Sequence, residues 1–267
     1  MSIKCDYKLP KSLECLLQGQ EFSVDDVGLS GSTVWVFKDK VLKIRNATEE
    51  TETEHAMLLW LEGRLPVPTV IFHEVTGGVD YLLMSKVNGD MACDQKLMSD
   101  PVQLTQVLAD SLKQIWSIDI SDCPVSGNLD RKLFAATAAV ENCEVDTDNA
   151  EPGTFGDNGF RDPAELLTWL MSERQEEDLV LSHGDFCLPN IFIKSGKLSG
   201  IIDLGRAGVA DKWQDIALCY RSLKHNYAGK YGAKAYEDYD PELLFTALGM
   251  EPDWRKLNYY ILLDELF

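Results

Sequence analysis

Positive charge is what this chain is short of. Its 267 residues carry 25 Lys+Arg against 44 Asp+Glu, a formal net charge of −19. Nucleic acid and anionic membrane would both be repelled, so neither is expected as a main partner. No apolar run reaches the ~20 residues of a membrane-spanning helix. The first stretch, MSIKCDYKLPKSLECLLQGQ, has no apolar core of the kind a secretory signal needs. The seven cysteines (5, 15, 93, 123, 143, 187 and 219) are odd in number and scattered, with no C-x-x-C pair. This is not a small disulfide scaffold, and a reducing cytoplasm is the simple expectation. Internal repeats and low-complexity tracts are absent too, and no obligate protein partner is evident.

What is there begins with the placement of the acids. Residues 1–87 carry 9 Lys+Arg and 13 Asp+Glu, whereas residues 88–267 carry 16 and 31. The acidic second part suits a cationic ligand, although solubility alone also favours such a surface.

Leu179 to Gly205 organises the chain. Val180-Leu181 enters a polar loop, Asn190-Ile191-Phe192-Ile193 leaves it, Ser195-Gly196 signals a turn, and Leu198 to Ile202 is the returning strand. Asp185, Asn190 and Asp203 fall at the ends of these strands. The order His183-x-Asp185-x4-Asn190, with Asp203 thirteen residues further on, matches the catalytic loop and metal site of a protein-kinase-like fold. An alcohol nucleophile needs a proton acceptor, which Asp185 supplies. A metal that holds phosphates wants oxygen ligands, so Asn190 and Asp203 suit Mg²⁺. Any one of these acids alone would be read as a loop cap.

Residues 22–45 read as an antiparallel meander behind the small-residue loop 28–33, which could lie over phosphates. Lys43 alternates with Leu42 and Ile44. Residues 49–62 read as a helix, with Glu54 the first choice to pair Lys43 and Glu50 and Glu52 as rivals. Strands are expected at 69–72 and 81–84, and a hinge at 84–88 whose Ser85 and Val87 could meet a purine edge. Periodicity predicts helices over 101–118, 129–141, 162–174, 211–225, from 240 to 249, and from 254 on. Asp215 could anchor the catalytic loop. Residues 142–161 form an acidic Gly/Pro/Asn-rich loop, either solvated or a lid for cations. The ending Asp264-Glu265-Leu266-Phe267 gathers negative groups at a helix C-terminus, where they repel one another unless a cation binds. The fold expected is α+β and bilobal, with a small β-rich lobe over 1–87 and a larger, mainly helical lobe over 88–267.

MLLWLEGRLPVP, SIDISDCP, the block from Leu179 to Ala217 and the tail YYILLDELF resemble the aminoglycoside 3′-phosphotransferase family. That resemblance implies a protein-kinase-like fold and transfer of the γ-phosphate of ATP, with Mg²⁺, to the 3′-hydroxyl of kanamycin- and neomycin-type antibiotics, which confers resistance. It implies that Lys43 contacts the α/β-phosphates and pairs with Glu54, that Ser30 sits over the phosphates, and that Ser85 and Val87 hold adenine. Asp185 would be the base, Asn190 and Asp203 the Mg²⁺ ligands, and Arg206 a positioning residue. Asp264, Glu265 and the Phe267 carboxylate, with Asp157 or Glu151, would bind the drug's ammonium groups. The alternative is a kinase of the same fold acting on another small alcohol of the choline, homoserine or fructosamine type. A protein kinase is disfavoured: Cys187 replaces the usual Lys, no A-P-E follows Asp203, and the phosphate loop is not G-x-G-x-x-G. His225 stands where a relative has an acid, which bears on drug preference.

Overall fold

A computed structural model describes residues 9–25, 32–157, 159–232, 234–236 and 238–267. The N-terminal part is a five-stranded antiparallel sheet in the order β1-β2-β3-β5-β4, formed by β1 (Ser23–Asp25), β2 (Thr33–Val36), β3 (Lys40–Asn46), β4 (Val70–Thr76) and β5 (Val79–Ser85). Helix α1 (Lys11–Leu17) covers one face and α2 (Glu49–Leu61) the other. Strand β5 shows why both covers are needed. Tyr81 and Leu83 join a small core with Leu13, Leu17, Leu42 and Ile44, whereas Leu82 and Met84 join the main core with Met57, Leu58 and Leu61. Alternation sends each pair to opposite faces, so a strand buried on both sides reads as a continuous apolar run.

After Ser85 the chain forms the short β6 (Asp90–Met91) and α3 (Gln95–Met98) and then becomes largely helical. Helix α4 (Pro101–Trp116) starts on the Asp100 side chain, which accepts from Gln103 N–H at 3.0 Å, with Pro101 in the first turn. Its stripe of Leu104, Leu108, Leu112 and Ile115 lies at the centre of the main core. Helices α5 (Leu129–Glu141) and α6 (Pro163–Ser172) flank the acidic loop, and Asp162 caps α6 through Glu165 N–H at 2.9 Å.

Two small sheets carry the chemistry-bearing loops. Strand β7 (Leu179–Ser182) pairs antiparallel with β10 (Gly208–Asp211), and β8 (Ile191–Lys194) pairs with both β6 and β9 (Lys197–Ile201). Helices α7 (Lys212–Tyr227), α8 (Leu243–Leu248) and α9 (Trp254–Asp264) complete the fold. Among the described residues no helix is long and apolar enough to cross a membrane.

The departures from the sequence reading are local. Helix α1 was not expected, because seven residues with two buried leucines carry too little periodicity. Strand β10 has four residues and no alternating pattern to betray it. The α6 helix stops at Ser172 rather than near 174, and α8 begins at Leu243, since Asp240 spends its carboxylate on a turn with Glu242 N–H at 2.9 Å.

Leu83 is 1% exposed between α1 and the sheet. Leu83→Ala is expected to cost about 2–5 kcal/mol, read as a lower urea midpoint. A midpoint equal to that of the wild type would mean that α1 does not hold the sheet.

Candidate active site

The site starts on β3. Lys43 faces α2 and donates to Glu54 Oε1 at 2.7 Å, and its ammonium also meets the Asp203 carboxylate. Neither rival acid is used: Glu50 pairs with Arg206 Nε at 2.9 Å, and Glu52 is exposed. Burial works against the Lys43 charge, but Glu54 and then Asp203 outweigh it, so its pKa stands above the ordinary lysine value. Asp203 is the mirror case. Burial would raise it, and Lys43 holds it below the usual carboxylate range.

Sequence reasoning missed the next pair. Arg45 lies two residues along β3, on the same face as Lys43. Its Nη1 is 2.5 Å from Glu54 Oε2, and its Nε donates to Asp80 Oδ2 at 3.1 Å. Asp80, fully buried, is the cross-strand partner of Arg45, and His73 Nε2 is 2.8 Å from its other oxygen. The period of two from Lys43 was the signal for Arg45, but nothing in the sequence gives the register that brings Asp80 opposite.

The catalytic-loop sequence leaves β7 and is held from behind by Asp215 on α7. Buried Asp215 accepts from Ser182 Oγ at 2.9 Å, His183 N–H at 2.9 Å and Gly184 N–H at 3.0 Å. Burial raises its pKa even against these donors. Gly184 has φ +83°, and a Cβ there would strike the Arg206 backbone carbonyl, so only glycine lets the loop pass the turn after β9. His183 Nε2 meets the Ile202 carbonyl at 2.9 Å, which ties the loop to that same turn.

Asp185 emerges half-buried with both oxygens engaged. Asn190 Nδ2 donates to Oδ2 at 2.9 Å, and the Cys187 thiol donates to Oδ1 at 3.0 Å. Burial, then the Asp185 charge, push the Cys187 thiol well above its ordinary value, so it stays a protonated donor. The β8–β9 hairpin brings Asn190 and Asp203 to one end: Ile191 pairs with Ile201, and Ile202 N–H donates to the Asn190 carbonyl at 3.0 Å. Asp203 takes the left-handed conformation, φ 60° and ψ 58°, which turns its half-exposed carboxylate out of the strand. The Asn190 side chain uses only Nδ2 in its hydrogen bonds, which leaves Oδ1 unengaged, and Asp203 keeps one oxygen off Lys43. Among the described residues no cluster of three or more His, Cys, Asp or Glu side chains is placed to hold a metal. Two protein oxygens with room for phosphate and water is a donor set that fits Mg²⁺.

The acidic tail differs from expectation. The Asp264 and Glu265 carboxylates do not wait for an outside cation, because guanidinium groups already lie among them. Arg221 reaches Asp264 and also donates to Glu265 Oε1 at 3.0 Å, and Arg206 Nη1 donates to Asp264 Oδ1 at 3.3 Å. Arg206 also stands 5.5 Å from the centre of the exposed Phe267 ring. Glu265 Oε2 accepts from Glu151 N–H at 2.7 Å, and the Glu151 carboxylate meets His225 and Lys230, each at 3.0 Å. Asp157 is exposed in the same loop, with no contact to the cluster. Of the nucleotide residues expected, Ser30 lies outside the described residues. The Ser85 N–H donates to the Thr69 carbonyl and its hydroxyl oxygen accepts from Thr69 N–H, each at 2.9 Å, so the N–H is not free for a purine and the hydroxyl keeps only its own proton to offer. Val87 packs against Gly200, where a Cβ would collide with it.

A carboxylate on a clamped loop, beside two oxygen donors and a lysine that joins sheet to hairpin, is equipment for moving a phosphoryl group to an alcohol. The fold around it is that of the kinase-like phosphotransferases. The model of the phosphotransferase enzyme family (APH) matches residues 18–259. An aminoglycoside 3′-phosphotransferase of Enterococcus faecalis is 43% identical over 229 residues, 84% of this chain and 82% of that one. One from Niallia circulans is 37% identical over 97% of both chains. The crystal structure of an aminoglycoside 3′-phosphotransferase of type VIII superposes with a TM-score of 0.80 at 26% identity, covering 96% of this chain and 97% of that one. The chain belongs to this phosphotransferase family and groups within it with the aminoglycoside 3′-phosphotransferases.

Breaking a buried ion network from one side leaves an uncompensated charge. Arg45→Met is therefore expected to lower the unfolding free energy by about 3 kcal/mol, measured in urea. A change below about 0.5 kcal/mol, the size of an ordinary surface substitution, would show that Arg45 is not part of what holds Glu54.

Proposed function

We propose that this chain transfers the γ-phosphoryl group of ATP to the 3′-hydroxyl of kanamycin- and neomycin-type aminoglycosides, with Mg²⁺, in the cytoplasm, and so confers resistance to them. The observation that carries the reading is Asp185, held by the Asp215 clamp, beside Asn190 and within one hairpin of the Lys43-bound Asp203. The acceptor class rests on the relatives' names together with the acidic tail. The unpaired thiols of the described residues suit a reducing compartment. We set the lobe boundary at 84–88, with nucleotide held between the two sides.

Lys43 holds the α/β-phosphates, with Ser30 and the neighbouring backbone above them. The Ser85 carbonyl and the Val87 backbone meet the adenine edge. Asn190 and Asp203 hold Mg²⁺, which neutralises charge on the phosphate oxygens when bound. Asp185 accepts the hydroxyl proton as the new oxygen–phosphorus bond forms and the bond to the β-phosphate oxygen breaks. The weaker of its two donors, the Cys187 thiol, yields Oδ1 to that proton. Arg206 stands beside the transfer and steadies Asp264. Asp264, Glu265, the Phe267 carboxylate, Glu151 and Asp157 take the drug's ammonium groups. A polycationic substrate thus displaces Arg221, His225 and Lys230 from partners they already have, an exchange of ion pairs rather than capture by bare charge.

ADP release with Mg²⁺-ATP should occur with kanamycin A and neomycin and fail with tobramycin, which lacks the 3′-hydroxyl. It should stop when EDTA removes the metal. Asp185→Asn should lower kcat by about 10²–10⁴-fold while nucleotide still binds. Silence across the panel with ATP binding intact would move the acceptor to another small alcohol, and an active Asp185→Asn would remove the base from the mechanism.

A further inference from the structure

The network behind Lys43 has more members than a lysine–glutamate pair needs. Glu54 is 1% exposed, and each of its oxygens faces a different cation: Oε1 the Lys43 ammonium at 2.7 Å, Oε2 the Nη1 of Arg45 at 2.5 Å. Arg45 is held in turn from across the sheet. Its cross-strand partner Asp80, fully buried, accepts from Nε at 3.1 Å. His73 Nε2 stands 2.8 Å from the other Asp80 oxygen, and the His55 ring of α2 stacks on His73 with 3.7 Å between centroids. Residues from α2, β4 and β5 meet in this way around one side chain of β3.

Stability alone does not account for the arrangement. Arg45 Nη2 is buried without a hydrogen bond, and a buried ion network is commonly no more stabilising than apolar side chains of the same volume. What the network does is set the state of Glu54. A carboxylate with one cationic partner can turn both oxygens onto it and quench its charge. With Arg45 on Oε2, Glu54 is fixed at two points and its charge is divided. Lys43 therefore retains positive charge that a third anion can use, and here that anion is Asp203. Under the function proposed above, Asp203 is committed to Mg²⁺ and phosphate oxygens take its place on Lys43. A lysine at 45 could not do the same. Nη1 and Nε engage two separate carboxylates at once, which needs the guanidinium fork.

We infer that Arg45 is a positioning residue for the nucleotide: by holding Glu54 Oε2 it keeps Lys43 oriented and charged for the α/β-phosphates. It acts through Glu54, so its effect falls on the phosphates and not on the base or the sugar. The inference rests on the nucleotide role proposed above for Lys43.

The test is calorimetric titration of the full chain, wild type and Arg45→Met, with Mg²⁺-ATP and with adenosine, which lacks phosphates. Arg45→Met is expected to bind Mg²⁺-ATP at least tenfold more weakly and adenosine within twofold of the wild type, with an unchanged circular dichroism spectrum. Equal ATP affinity in the two proteins would overturn the inference and leave the functional reading in place. So would a parallel loss of ATP and adenosine, which is what a general loosening of the fold gives. A wild type that binds no ATP would overturn the functional reading and the inference with it. If Arg45→Met does not fold, a crystal structure of the wild type with Mg²⁺ and ADP decides. Lys43 on a phosphate oxygen, with Glu54 still between it and Arg45, is the expected result. Arg45 parted from Glu54, or Glu54 with both oxygens on Lys43, would overturn the inference.

Discussion

Lys43 is a charged group taken almost wholly out of water, at 8% exposure, and the rest of the molecule is arranged so that it can be. An ammonium in that position costs several kcal/mol unless it is paired and hydrogen-bonded. Its two partners come from elsewhere in the chain, Glu54 from α2 and Asp203 from the turn after β9. The sheet, the helix and the hairpin must therefore be mutually in place before the charge is tolerated. The same demand explains an anomaly in α2. Its buried side begins with Thr51, Thr53 and Glu54 and turns apolar only at Met57, so it is not amphipathic along its length. Glu54 in turn has a second oxygen to satisfy, which Arg45 takes, and Arg45 brings Asp80. Each buried charge recruits the next until the network reaches the half-exposed His73.

Behind β7 the equivalent demand is met by one carboxylate. Asp215 gathers three donors from consecutive residues of the loop, and the loop's shape follows from that more than from its own hydrogen bonds. The two arrangements touch at a single place. The turn that ends β9 supplies Asp203 to Lys43, the Ile202 carbonyl to His183, and the Arg206 carbonyl that forces glycine at 184. Gly205 lies in the same turn, and a Cβ there would stand 3.1 Å from the Glu50 carbonyl of α2. Close backbone approach, rather than flexibility, is what both glycines provide.

How much of this was legible follows from how local each feature is. The loop and hairpin were readable because Asp185, Asn190 and Asp203 lie within nineteen residues and their spacing encodes the geometry. Glu54 could be ranked above Glu50 and Glu52 but not separated from them, since helix rotation is fixed by packing against β3 and the turn at 204–206. Asp80 was unreadable because its meaning depends on the register of β3 against β5. The tail was read correctly as acidic and wrongly as uncompensated. Arg221 lies more than forty residues before Asp264, on a helix whose apolar face drew the attention, and only the packing of α7 on α9 brings the two together.

That misreading bears on how such a site can be selective. A cluster of bare carboxylates would attract any cation and would also destabilise the fold around it by mutual repulsion. Here Arg206 and Arg221 neutralise Asp264 and Glu265, and Lys230 neutralises Glu151, to which His225 adds a hydrogen bond. A single ammonium gains little by entering, because it must break a charge-assisted bond to make one. A ligand with several ammonium groups at fixed spacing can replace several of these bonds together, and its rigid rings have less conformational entropy to lose. Internal pairing thus raises the threshold for small monovalent amines while leaving the acids in position for a polycation. Burial, then the neighbouring Lys230 and Arg221 charges, act against a charged His225 and outweigh Glu151, so its pKa is lowered and near neutral pH it holds Glu151 by a hydrogen bond rather than a full ion pair. Under the function proposed above, Glu151 is therefore the acid of the cluster most easily given up to the drug.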